Sequence, residues 1–217
     1  MIKLILFDQK IMFRRGSKPF GRSWEDWAIC WWKWCSSQPY VTNPAADRDG
    51  KFCCNNQTNP HVWFLAGTFG GSVVRRCVIP LGRSIFFPII TNRISYAEHS
   101  YLKTRKELQT YAKADLDQAS EYWAKVDGIK LAKLNHYRVR TPVFSFCLPL
   151  NEMQNINIKD CKAVSDGYWV FLHPLNSGKH EIEFVGEKLK YDEIYISHFR
   201  GKKPKFRVEV RYKLTVN

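Results

Sequence analysis

Hydrophobic positions in this chain repeat with two different periods, and the change from one to the other outlines a fold. Over "SWEDWAICWWKWC" (23–35) the period is helical: at about 100° per residue, Trp24, Trp27, Trp31 and Trp34 fall within an arc of about 80°, and Ala28 and Cys35 extend the stripe. Glu25, Asp26 and Lys33 lie on the other side. Ser23 stands at the N-cap position, Glu25 and Asp26 fall in the first turn, and Pro39 follows the end. The spacing predicts a helix near 24–36. An indole buries about 150 to 250 Å² when packed, and a patch of four is rarely left in water on a soluble monomer. The helix is therefore expected to seal a core, with Trp32, off the stripe, partly exposed.

Downstream the period shortens. "VWFLAG" (62–67) and "SIFFPII" (84–90) are apolar without alternation, as in strands screened from water on both faces, and the tryptophan helix is the candidate cover. "VVRRCVIP" reads as a further strand, and the glycines of "GTFGGS" between it and "VWFLAG" read as a hairpin turn. From Ala97 to Trp123 the chain is polar, with Leu102, Leu108, Tyr111, Ala112, Leu116 and Ala119 at helical spacings, which predicts a surface helix or helix pair. Asp127 and Gly128 sit between two short alternating runs, a two-residue hairpin signal. "YRVRTPVFSFCLPL" (137–150) continues as strand, with Pro142 marking an edge or bulge.

The last third is β again. "SDGYWVFLHPL" reads as a strand after a turn, with Asp166 before Gly167 as a turn residue. In "KHEIEFVG", His180, Ile182 and Phe184 share one face, and His180 reads as a hydrogen-bonded core histidine. "FRVEVRYKLTV" alternates throughout, with Phe206, Val208, Val210, Tyr212, Leu214 and Val216 inward and Arg207, Glu209, Arg211 and Lys213 outward. The predicted fold is mainly β: an antiparallel β-sandwich, jelly-roll or immunoglobulin-like, with an N-terminal tryptophan-rich amphipathic helix and a middle helical insertion. Residues 1–22 form a basic N-terminal arm, and 23–217 form one domain with helices near 24–36 and 97–121.

The 217 residues suffice for one sizeable core, and 45% hydrophobic with 25% charged residues excludes a disordered chain. No apolar run approaches the roughly 18 to 20 residues of a spanning helix, so no transmembrane segment is expected. "MIKLILFDQKIMFRR" begins like a secretion signal, but Asp8, Gln9 and Lys10 interrupt it and no cleavage site follows, which points to the cytoplasm. The net charge of +14 favours an acidic partner, a glycan, a nucleic acid or a lipid surface. The seven cysteines show no C-x-x-C spacing, so no metal is expected. Cys53 or Cys54 could bridge to Cys77 in an oxidising compartment, or all could be free thiols in a reducing one. The glycine loop at 67–71 lacks the spacing of a phosphate cradle, and no cofactor is expected.

The blocks "WEDWAICWWKW", "NPAADRDGKFC", "VWFLAGTFGG", "RRCVIPLGRSIFFPI", "YRVRTPVFSFCLP", "SDGYWVFLHPL", "GKHEIEF" and "VRYKLTV" occur in the order found in a family of uncharacterised microbial proteins, which the chain resembles from about Ser23 to Val216. Similar proteins usually carry a secretion signal and a cysteine on each side of "VWFLAGTFGG". The resemblance therefore implies an extracellular or cell-envelope location, and a bridge from Cys53 or Cys54 to Cys77. It implies no activity, substrate or catalytic residue.

Three functional readings follow. The leading one is a non-catalytic β-sandwich protein, a structural or ligand-binding module at the cell surface or outside the cell. The second is a polyanion or nucleic-acid binder, in which the basic C-terminal hairpin "HFRGKKPKFR" uses Arg200, Lys202, Lys203, Lys205 and Arg207 to contact phosphates or sulfates. The third is a hydrolase with a site near Asp166, beside Tyr168, which requires one of His61, His136, His173 or His180 in the same concave pocket.

Overall fold

The computed structural model describes residues 11–148, 161–189 and 205–217. Among the described residues, ten strands form two five-stranded sheets. Sheet A runs β1 (Val62–Phe64), β3 (Ser84–Ser95), β8 (Cys161–Leu172), β6 (Arg138–Arg140), with β7 (Phe144–Phe146) also paired to β8. Sheet B runs β2 (Gly71–Ile79), β10 (Phe206–Val216), β9 (Gly178–Lys188), β4 (Ala119–Val126), β5 (Ile129–Lys130). Helix α1 (Trp24–Ser36) lies on the face of sheet A away from sheet B, and α2 (Arg105–Leu116) packs on the opposite face, beside sheet B.

Sheet A is the middle layer, and its residues alternate between two cores. Ile85, Phe87, Val170 and Leu172 point to sheet B, where they meet Ile182, Phe184, Val210 and Leu214. Phe86, Trp169 and Phe171 point the other way, under α1. On the sheet-B side, farther along β3 and β8, Ile94 and Val164 meet Leu108 and Ala112 of α2. This double burial is why β1 and β3 read as unbroken apolar runs.

The cap of α1 follows the sequence. The Ser23 hydroxyl accepts the Asp26 N–H (3.1 Å) and the Asp26 carboxylate accepts the Ser23 N–H (3.1 Å), a reciprocal capping box. Trp24, Trp27, Trp31 and Trp34 are buried and Trp32 is half-buried, as the helical spacing predicts. Every indole N–H of this helix donates: Trp24 to Arg14 O (3.2 Å), Trp27 to Pro19 O (2.9 Å), Trp31 to Leu65 O (2.9 Å), Trp34 to Asn55 O (2.9 Å) and Trp32 to the Ser165 hydroxyl (2.7 Å). The apolar rings fill the core while their polar edges tie four chain segments to the lid. Met12, also buried, bridges to Leu172, so residues 11–22 lie against the end of sheet A.

Several expectations need correction. The sandwich is mixed: β1 pairs with β3, and β2 with β10, in parallel. The glycine segment at 67–71 makes no hairpin, because it carries the chain from sheet A to sheet B and leaves β1 and β2 in different sheets. The middle helix is shorter than 97–121: a Thr104–Glu107 capping box starts it, and by Ala119 the chain is already strand β4. The Asp127-Gly128 hairpin is present, with φ of 50° and 78°, joining Val126 to Ile129. Pro142 separates β6 from β7.

Where the two sheets come nearest, only glycine fits. A Cβ on Gly186 would stand 2.5 Å from the Ile90 Cβ and 2.7 Å from Ile89 O, beside the register shift between Pro88 and Ile90. If the tryptophan helix is the principal cover of sheet A, Trp27→Ala should cost about 3 to 5 kcal/mol in denaturant unfolding. Trp32→Ala should cost less than half as much, and equal costs would contradict this packing.

Candidate functional site

Asp166 lies in mid-strand, between Asn92 of β3 and Arg140 of β6, and is almost fully buried at 1% exposure. The turn reading of Asp-Gly is therefore overturned. Gly167 is required by close approach instead, since a Cβ there would lie 2.5 Å from the Thr91 hydroxyl and 2.7 Å from the Trp169 indole nitrogen. Arg138 donates to both carboxylate oxygens of Asp166 (Nε–Oδ1 2.8 Å, Nη2–Oδ2 2.7 Å) and Arg140 adds a third contact (3.2 Å). Arg138 also reaches Asp117 at the end of α2 (2.7 Å). Burial pushes the Asp166 carboxyl up, and the two guanidiniums oppose that shift.

The network continues inward. Asn92 accepts the Asp166 N–H (3.0 Å) and donates to Asp115 (2.7 Å), which receives the buried Lys188 ammonium at 2.8 and 2.7 Å. These groups fasten α2 to sheet A and to β9 of sheet B. The Asp166 carboxylate is held by arginines, and the described histidines are engaged elsewhere. His61 stacks on Phe20, His173 packs on Phe13, and His136 lies in the single turn Leu134–Tyr137. His180 faces Asp127 (Nδ1–Oδ2 2.7 Å) and Asn176 O (2.9 Å), the hydrogen-bonded role expected of it, at the rim of sheet B. The pairing that a hydrolase site near Asp166 requires is not formed among the described residues.

Cys53, Cys54 and Cys77 are free thiols, so the expected bridge is not present. The Cys53 thiol instead donates to Arg76 O and the Cys77 thiol to Val78 O (both 3.8 Å); the neighbouring Cys53 thiol and burial push the Cys77 thiol up, while Cys54 is exposed. The loop bearing Cys53 is set by Asp47, whose carboxylate accepts the N–H groups of Asp49 (3.1 Å), Gly50 (3.1 Å) and Phe52 (2.7 Å). Of the basic hairpin, Arg200, Lys202 and Lys203 lie outside the described residues. Lys205 pairs with Glu187 (3.0 Å), and Arg207 with Glu121 (2.8 Å), Glu187 (3.4 Å) and Glu209 (3.3 Å).

Two features of sheet B escape sequence reading. Arg75 points inward and is fully buried, its guanidinium held by the carbonyls of Asp47 (2.6 and 2.8 Å), Ala45 (3.3 Å), Ala66 (2.9 Å) and Gly67 (2.7 Å) and by the Tyr212 hydroxyl (2.9 Å). Its register partner is Tyr212, the one polar-tipped residue among the inward positions of β10. The second feature is a groove of about 780 Å³ at the end of sheet B where β10 finishes. One side of it is the loop at 50–54, pinned to the edge of β2 by the Arg76 N–H to Asp49 O bond (2.8 Å). Gly50, at φ 98°, lies so close that a Cβ would be 2.0 Å from Arg76 O. Asp127, in the β4–β5 turn, also lines the groove, and Arg76, Lys213 and Lys179 stand between.

No protein-family model matches the chain, and no curated protein matches its sequence. Among solved structures, it is similar to the cysteine protease inhibitor EhICP2 from Entamoeba histolytica, at 10% identity over 73% of this chain and 100% of that one, with a TM-score of 0.26. It is also similar to Amebosin, at 10% identity and the same coverage, with a TM-score of 0.23. Likeness this slight carries no argument about fold or function.

If Asp166 is structural, Asp166→Asn should cost about 3 to 5 kcal/mol in chemical unfolding, because it strips a buried ion pair of one partner. A loss below about 1 kcal/mol would show that the pair is dispensable. At His180 burial lowers the pKa, but Asp127 and Asn176 O raise it further, and the net direction is up. Its stabilising contribution should therefore be complete below about pH 6.5 and fade as pH rises through the higher folded-state value. The stability gap between the native protein and His180→Gln should narrow from pH 5.5 to pH 8.5, and a widening gap would contradict the His180–Asp127 pairing.

Proposed function

We propose that the chain is a non-catalytic binding module that presents the outer face of sheet B to its ligand. One observation carries this reading: sheet A is covered on both faces, whereas the outer face of sheet B is uncovered among the described residues. On that face β10 projects the exposed side chains of Glu209, Arg211, Lys213 and Thr215. Trp123 of β4 stands half-buried beside them, its indole N–H on Glu121 (2.9 Å) and the Lys125 ammonium 5.0 Å from its ring. Elsewhere groups with catalytic potential are engaged in holding the scaffold: Asp166 by two arginines, His180 by Asp127, and the Cys77 thiol by Val78 O.

The family membership suggested by the sequence blocks, and the extracellular or envelope location it implies, belong to this proposal and rest on those blocks. No described helix is long and apolar enough to cross a membrane. The reading is tested by amine-reactive labelling of the protein in its native surroundings and after purification. Lys179 and Lys213 should gain reactivity on purification, while Lys33 and Lys106 on the two helices stay unchanged. Shielding confined to the helix lysines would place the partner on the helices instead of on sheet B and contradict the proposal.

A further inference from the structure

The groove at the end of sheet B contains an electrostatic arrangement that packing alone does not explain. Arg76 of β2 and Lys213 of β10 are direct register partners on the outer face, and both are exposed. Like charges placed directly opposite each other on neighbouring strands are destabilising. Lys179 of β9 sits one row away, beside Thr215, which in turn pairs with Val78. Of the described residues, none forms a salt bridge with Arg76, Lys213 or Lys179. On the same sheet, Arg207 and Arg211 each find a carboxylate within 3.4 Å. Among the described residues, salt bridges thus form along the sheet and stop at the groove, although Glu181 stands directly opposite Lys213.

The rest of the lining narrows the ligand chemistry. Glu181 follows Lys213 in the same cross-strand row and forms no salt bridge among the described residues, so the surface offers an acceptor beside its cations. Thr215 adds a hydroxyl. A uniformly charged polyphosphate would be repelled by Glu181, whereas a ligand with acid groups interspersed with hydroxyls satisfies both kinds of side chain. No phenylalanine, tyrosine or tryptophan among the described residues lines the groove, so they supply no stacking platform of the kind with which proteins hold single-stranded bases. Its volume of about 780 Å³ exceeds what one small anion fills and falls in the range of organic-ligand pockets. Neighbouring strands are about 4.8 Å apart and diagonal neighbours about 7 to 8 Å, so the three cations can engage acid groups on adjacent residues of one chain.

We infer that this groove binds an acidic oligosaccharide, with Arg76, Lys213 and Lys179 taking its carboxylate or sulfate groups and Glu181 and Thr215 its hydroxyls. The inference rests on the binding-module reading and adds the ligand class and the residues that recognise it. The loop at 50–54, fixed against β2 by Asp47 and by the Arg76 N–H, gives the groove a rigid wall. Binding should therefore need little ordering of the protein.

The test uses a fluorescein-labelled heparin octasaccharide at low ionic strength, measured by anisotropy. The groove variant Arg76→Ser/Lys179→Ser/Lys213→Ser is compared with Lys33→Ser/Arg105→Ser/Lys106→Ser, which removes the same charge from the two helices, away from the groove. All six residues are exposed, and both variants should keep the native melting temperature. The groove variant should bind about tenfold more weakly or worse and show a shallower salt dependence, while the control stays within about twofold. As a measurement free of substitution, NMR titration of the native protein should shift the side-chain signals of Arg76, Lys179 and Lys213 first. The inference is overturned if the native protein does not bind the octasaccharide, or if both variants lose affinity equally. A single-stranded DNA octamer bound more tightly through the same residues would replace the glycan with a nucleic acid and also overturn it. Should labelling show the outer face shielded in native surroundings while the octasaccharide fails to bind, the ligand class is wrong and the binding-module reading stands. Shielding of the helix lysines alone would remove both.

Discussion

A sheet buried on both faces needs two partners, and here that constraint decides the architecture. Sheet A has Val170 and Phe87 on one face and Phe86, Trp169 and Phe171 on the other, so it cannot meet water on either side without a large cost. Sheet B answers the first requirement with the clean alternation of β10. The four-tryptophan face of α1 answers the second. Each indole N–H of that helix finds an oxygen, so the lid strands none of its own indoles, whereas the buried Trp169 N–H beneath it has no partner among the described residues. The consequence for function is directional. With one side of the molecule committed to helical cover, the outer face of sheet B is the broad β surface left to present side chains.

The polar interior belongs to the same logic. Asp166, Arg138, Asn92, Asp115 and Lys188 would be a costly collection if any member lacked a partner. Instead they form a continuous chain from β6 through β8 and β3 to α2 and β9. Arg75 does the same at the other end with neutral oxygens, binding the segments at 45–47 and 66–67 to β2 and β10. Such networks fix how the layers dock, and they explain why residues with catalytic potential by type serve as fasteners.

Much of this was legible in the sequence wherever a single element carries its own signal. The tryptophan spacing and Ser23 marked α1, the alternation of "FRVEVRYKLTV" marked β10, and Asp127-Gly128 marked its hairpin. What failed depends on partners distant in the chain. Side chains alternate alike in parallel and antiparallel strands, so the parallel pairing of β2 with β10 left no local trace. The glycines at 67–71 suit a hairpin and a change of sheet equally well. Asp166-Gly167 has the composition of a turn, yet Arg138 and the packing of Thr91 and Trp169 make it a buried strand. The groove is the extreme case, since Arg76, Lys179 and Lys213 become neighbours only through the registers of three strands. The residues singled out instead, Lys205 and Arg207, prove to be paired with carboxylates.

The account depends most on the indoles of α1 being locked inside the molecule. Hydrogen exchange at the indole N–H groups, followed by NMR in deuterated buffer, tests this directly. The account predicts that the signals of Trp24, Trp27, Trp31 and Trp34 persist as long as the backbone amides of β3 and β8, while the half-buried Trp123 signal disappears early. Loss of all five at the rate of Trp123 would mean that the helix lifts freely from sheet A, and the assignment of sheet B as the presenting face would lose its foundation.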